Sequence, residues 1–117
     1  MAIGRWQAWR PFTIDSIGHF APEEIGVYEL IDSRGATQYI GKAGKSIRSR
    51  LLSHTKDPDF AIVAHFHFKL VSHKFEAKDL ESDLIKEYKD KHDGHKPPLN
   101  KVTPRKKSTP EERYYQT

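Results

Sequence analysis

The 117 residues include no cysteine. Disulfide frameworks, cysteine nucleophiles and zinc–thiolate clusters are thereby excluded, and nothing points to an oxidising compartment. Long apolar runs are missing too. Met1 to Arg10 lacks the continuous apolar stretch of a signal peptide, and no later run is long enough to cross a bilayer. The expectation is a cytoplasmic protein with no membrane attachment. Internal repeats are absent, as is any pattern of a helix-turn-helix or zinc finger, so this chain alone is not expected to read a long base sequence.

What is present is charge, unevenly placed. Twenty Lys and Arg against sixteen Asp and Glu leave a net +4, which fits a polyanionic partner without demanding one. Lys42, Lys45, Arg48, Arg50 and Lys56 form one basic cluster, and Lys96, Lys101, Arg105, Lys106 and Lys107 a second. Brought together by a fold, they would make a phosphate-facing surface.

The length suits one domain. Residues 1–24 read as an irregular strap, because Pro11 breaks any helix through Trp9 and Phe12. Its Trp6, Trp9 and Phe12 are expected to close one side of the core, a base-stacking role being the alternative. Ile25 to Ile31 and Thr37 to Ile40 read as two strands joined at Gly35. Ser46 is the expected N-cap of a helix from Ile47 to about Thr55. Phe60 to Leu70 alternates as a strand, with Phe60, Ile62, Ala64, Phe66, Phe68 and Leu70 on one apolar face and His65 and His67 on the other. Two histidines without a third ligand are weak grounds for a metal site. A second helix is expected to start between Glu76 and Asp79 and to run to about His92, with Leu80, Leu84, Ile85 and Tyr88 as its apolar stripe. Residues 101–117 form a basic, then polar tail, with Tyr114 and Tyr115 as its only anchors. The order gives an α+β domain over residues 25–100: a small three-stranded antiparallel sheet flanked by helices.

Chemistry concentrates around the hairpin. Gly26-Val27-Tyr28 is followed, eleven residues after its tyrosine, by Tyr39-Ile40-Gly41 with Lys42 behind. Hairpin pairing sets Tyr28, Tyr39 and Lys42 on one small surface, where an ammonium group would ease ionisation of a phenol. Arg50 and His54, four apart, share one side of the helix. Glu81 borders the stripe of the second helix, and Asn100 follows Pro97-Pro98-Leu99. Taken singly, each has a bland reading: core tyrosines, a solvated arginine, a surface glutamate paired with Lys78 or Lys86. Taken jointly they supply what phosphodiester cleavage needs, namely a base, positive charge for phosphoryl oxygens, and a carboxylate for a hard cation.

With those residues in order, the chain resembles the GIY-YIG nuclease superfamily from about Ile25 to Asn100, and its Lys42-Ala43 continuation is similar to the excision-repair branch. The first motif has valine in the middle, and the segment Gly44-Lys45-Ser46 is about one residue longer than usual. The resemblance implies a GIY-YIG endonuclease that cuts DNA to 5′-phosphate and 3′-hydroxyl ends. It implies Tyr28 as general base helped by Lys42 and Tyr39, Arg50 on the phosphate, and Glu81 holding Mg²⁺, with Mn²⁺ as substitute. Nucleic-acid contacts would come from Lys42, Lys45, Arg48, Arg50, His54 and Asn100. The alternative is a nucleic-acid-binding module that keeps the fold but acts only with a partner or not at all. A third reading, a protein-interaction domain, leaves the polar constellation unexplained. DNA is the expected partner with RNA open, as monomer or weak homodimer, and with a protein partner also open.

Overall fold

The computed structural model describes residues 4–101; the tail expectation, apart from Lys101, lies outside them. The elements in chain order are β1 (Arg10–Pro11), α1 (Ile14–Phe20), β2 (Gly26–Asp32), β3 (Thr37–Ala43), α2 (Ile47–Thr55), β4 (Val63–Leu70) and α3 (Lys74–Lys91), with short 3-10 turns at Pro58–Phe60 and Pro98–Lys101. The class is α+β as expected, but the antiparallel sheet has four strands rather than three, in the order β1-β4-β2-β3.

The fourth strand comes from the N-terminal strap. Its backbone runs along the outer edge of β4, with Gly4 N–H to Leu70 O at 2.9 Å, Gln7 N–H to Phe68 O at 2.8 Å, and Phe12 N–H to Ala64 O at 2.9 Å. Arg10 pairs with Phe66 between them. The strap therefore covers hydrogen-bonding groups that a bare edge would offer to another chain. It also contains α1, where an irregular chain was expected. The Thr13 hydroxyl caps that helix by accepting the Ser16 N–H, and Ile17 is fully buried beneath it. Seven residues with a central Gly18 are too few to display a helical period.

The central strand β2 pairs with β3 on one side and β4 on the other, Tyr28 lying opposite Gly41 and Phe68. Alternation sends Tyr28, Leu30, Phe66 and Phe68 to one face, where Ile47 and Leu51 of α2 and Ile17 of α1 meet them. Val27 takes the other face with Val71 just past β4, Ala77, Leu80 and Leu84 along α3, and Trp6 of the strap. The hairpin turn is pinned by Asp32, whose carboxylate accepts the N–H groups of Arg34 and Ala36 and the Gln38 amide, each at 2.9 Å. Gly35 supplies the positive φ of +88°.

Strand β4 starts later than expected, at Val63. Asp57 caps a 3-10 turn with Pro58 in its first turn, so Phe60 enters the core from that turn and Ile62 is 56% exposed. At the other helix, α3 begins two residues before the expected range. The His73 ring accepts the Phe75 N–H at 3.2 Å, and Glu76 accepts that of Ser72 at 2.9 Å. For α2 the expected cap is in place: Ser49 N–H to Ser46 Oγ, 3.1 Å.

Candidate active site

The chemistry-bearing side chains meet at the free β3 edge of the sheet, where α2 closes one face and α3 the other. Tyr28 is wholly buried, and its hydroxyl lies 2.7 Å from His54 Nε2. Tyr39 stacks beside it with ring centroids 6.1 Å apart. His54 stacks in turn on Phe60, centroids 4.4 Å apart and planes at 24°, and Tyr39 meets both edge-on. Phe60 was expected only as a strand residue. Its placement under His54 follows from the Asp57-Pro58 turn, a signal present in the sequence.

Gly41 makes this cluster sterically feasible. A Cβ built there would fall 2.6 Å from the Tyr28 hydroxyl and 2.7 Å from Tyr39 Cε2. No other residue leaves room for both rings.

Burial dominates the protonation states. It pushes the Tyr28 hydroxyl well above the usual phenol range, Tyr39 adding to the rise and the Arg50 guanidinium opposing it. Tyr39 is raised by burial as well, again against Arg50. His54 is pushed down to about 4, by burial first and by Arg50 second. At neutral pH the pair is therefore a neutral phenol and a neutral imidazole, and the hydroxyl can donate to Nε2. Glu81, half-buried on α3, is raised by burial while Lys42 and Arg50 pull the other way.

Lys42 is a correction. Val27 lies opposite Lys42 and Tyr28 opposite Gly41, so strand alternation turns Lys42 away from the tyrosine face and toward α3. There its ammonium sits 4.0 Å from Glu81 Oε1. The charge acting on the Tyr28 hydroxyl is that of Arg50, and the expected easing of its ionisation by Lys42 is not met.

Two other expected nucleic-acid contacts are engaged inside the fold. Arg48 donates to Ala21 O at 2.8 Å and to Glu23 at 2.9 Å, tying α2 to the end of α1. Asn100 accepts the Ile40 N–H at 2.8 Å and donates to Ile40 O at 2.9 Å, pairing the free edge of β3 as a further strand would. Lys45 stands exposed on the loop before α2.

A hard cation fits the donor set at one point. The Glu81 side chain is 22% exposed and touches Lys42 only at the long distance of 4.0 Å. A carboxylate in that state has open lone pairs and gains from a cation. Among the described residues no group of three or more His, Cys, Asp or Glu converges. A single carboxylate would leave most of an ion's shell to water, as Mg²⁺ tolerates. Concavities of about 640 and 540 Å³ lie elsewhere on the molecule and contain none of Tyr28, Tyr39, Arg50 or Glu81. Among the described residues no helix is long and apolar enough to cross a membrane.

Residues 24–93 match the family model of the UvrC-like GIY-YIG domain. The chain is 36% identical over 88 residues to the UvrABC system protein C of Geotalea daltonii, covering 68% of this chain and 14% of that one. With the protein of the same name from Treponema pallidum it shares 36% over 95 residues, 71% of this chain and again 14% of the relative. The chain thus spans about a seventh of the curated relatives it matches. Among solved structures it is similar to the GIY-YIG N-terminal endonuclease domain of UvrC from Thermotoga maritima, bound to magnesium as its catalytic divalent cation. That match has a TM-score of 0.53 and 34% identity, covering 60% of this chain and 83% of that one.

Proposed function

The chain belongs to the family of UvrC-like GIY-YIG domains, and from that premise we propose that it is a metal-dependent endonuclease. It hydrolyses DNA phosphodiester bonds and leaves 5′-phosphate and 3′-hydroxyl ends. The observation that carries this reading is the meeting, at one open edge, of the Tyr28–His54 hydrogen bond, the Arg50 charge and the half-buried Glu81 carboxylate.

In this mechanism a water oxygen attacks phosphorus and the bond to the 3′ oxygen breaks. As the water is deprotonated, its proton passes to the Tyr28 oxygen while the phenol proton moves to His54 Nε2. The phenol thus never has to exist as a free phenolate, which its burial disfavours. Tyr39 stacks beside Tyr28 and limits its movement. Arg50 sits against both hydroxyls and bears on the negative charge growing over the phosphoryl oxygens. Glu81 would hold Mg²⁺, with Lys42 steadying the carboxylate, and Mn²⁺ would serve in its place. When bound, the cation supplies Lewis-acid stabilisation of the leaving 3′ oxygen. Lys45 is left to meet flanking phosphates, and Asn100 holds the edge strand in line. The relatives carry the name of a UvrABC system, so we also propose repair-linked DNA as substrate, a protein partner that presents it, and the cytoplasm as the compartment.

Nicking of supercoiled plasmid with Mg²⁺ tests the reading. The wild-type protein should nick it, chelation should stop the reaction, and Glu81→Ala should lower the rate by about 10²-fold or more. Nicking that survives both the substitution and chelation would reject the mechanism.

A further inference from the structure

The first turn of α3 carries an aromatic ring that the fold does not use. Phe75 is 63% exposed, although it sits one residue from the start of a well-capped helix. His73 stacks near it, centroids 4.9 Å apart and planes at 24°, and the Lys74 ammonium lies 5.8 Å from the ring centre. Most of the ring remains open to solvent.

Lys74 and Lys78 flank the ring against Glu76 and Asp79, with the lysines on the side toward the candidate site. Lys74, Lys78 and Glu81 recur at helical spacing, so the two lysines line the side of α3 that leads to the Glu81 carboxylate. The loop carrying Lys45 comes close across the gap: a Cβ on its neighbour Gly44 would be 3.9 Å from Lys74 Cβ. Of the nearby acids, Glu76 is engaged by the Ser72 N–H at 2.9 Å, and Asp79, one turn beyond Phe75, forms the acidic border. From Phe75 to Glu81 is about 9 Å along the axis and about 120° around it, with Lys78 and Lys74 falling between the two in angle. A strand reaching from one to the other would cross both lysines. An apolar protein partner would want more than one ring and fewer charges. A ring among lysines matches a nucleotide, whose base stacks while its phosphates pair.

We propose that the first turn of α3 grips an unpaired nucleotide next to the reaction centre. Phe75 stacks on a base, while Lys74, Lys78 and Lys45 take the phosphates on either side. The preferred substrate is then DNA with an unstacked base near the cut, such as a bulge or gap, rather than unbroken duplex. The proposal rests on the nuclease reading of the adjacent site.

Fluorescence anisotropy in metal-free buffer tests it, using one labelled duplex intact and the same duplex with a short bulge, across a salt series. The wild-type protein should favour the bulged DNA. Phe75→Ala should lose about 5- to 100-fold of that preference with an unchanged salt slope, and Phe75→Tyr should keep it. The double variant Lys74→Ala/Lys78→Ala should weaken both DNAs alike and flatten the salt slope by about 1.5 to 2. A Phe75→Ala protein that discriminates like wild type, or a double variant with the wild-type slope, would overturn the proposal. Cleavage of the same DNAs with Mg²⁺ separates the two readings. Wild-type cleavage without a Phe75 effect defeats only the grip, whereas the predicted binding pattern without cleavage defeats only the nuclease assignment.

Discussion

The hydrogen bond between the Tyr28 hydroxyl and His54 Nε2 spans 2.7 Å inside the molecule, and only neutral partners make it comfortably there. Stability should therefore follow the protonation of His54. Unfolded, this imidazole binds a proton near 6.5; folded, burial lowers that to about 4. Between those values the unfolded chain holds more protons, so the contribution is complete above about pH 6.5 and is lost as pH falls toward 4. The full effect is on the order of 3 kcal/mol, of which about 2 is lost by pH 4.5. Urea melts at pH 7 and pH 4.5 should show wild type losing about 2 kcal/mol more stability on acidification than His54→Gln, which has no proton to gain. Equal losses in the two proteins would contradict the buried, neutral His54. At this scale the motif order sufficed to anticipate that Tyr28, Tyr39, Arg50 and Glu81 come together. It did not suffice for Lys42, whose direction depends on parity along β3. Tyr39 and Gly41 share one face, and Lys42 necessarily takes the other.

Among the elements, β3 has the most demanding position, because it is a free edge and carries Tyr39, Gly41 and Lys42. Asn100 completes it from sixty residues away through two hydrogen bonds to the Ile40 backbone. Asn100→Ala should cost about 1 to 2 kcal/mol, since it leaves both groups of Ile40 without a protein partner. In hydrogen exchange, the Ile40 amide should lose protection before those of β2. Unchanged protection at Ile40 would show that the clamp is dispensable. The hairpin, α2 and α3 were legible because their caps and apolar spacing act locally: Ser46 before Ile47, Gly35 at the turn, and Leu80 with Leu84 on the stripe. What escaped was non-local or short. β1 exists only because β4 offers an edge to Arg10 and Pro11. The seven residues of α1 are held by the burial of Ile17 more than by their own propensity. Asn100 reads in sequence as a loop tie or a polar contact, and only the fold brings Ile40 beneath it.

Across the whole molecule, on the proposed reading, the basic surface around Lys45 serves affinity, the two-faced core around β2 serves folding, and the Tyr28 hydroxyl serves the reaction step besides its bond to His54. The strap belongs to the folding part. Ile17 and Ala21 are fully buried, Phe12 packs on the core, and Trp6 stacks on His67 with centroids 4.3 Å apart, so these two aromatics close the core as expected, whereas Trp9 is 49% exposed beside His65 and does not. The decisive measurement is single-turnover cleavage of bulged DNA by Tyr28→Phe with Mg²⁺, alongside its thermal melt and DNA affinity. Removing one oxygen leaves the buried ring in place and takes away only the hydroxyl bonded to His54 Nε2. The account predicts a cleavage rate lowered by about 10²- to 10⁴-fold, affinity within about twofold of wild type, and a folded protein whose melt falls by about 5 to 10 °C for the lost buried hydrogen bond. Cleavage at the wild-type rate, from a protein equally folded and equally bound to DNA, would contradict it.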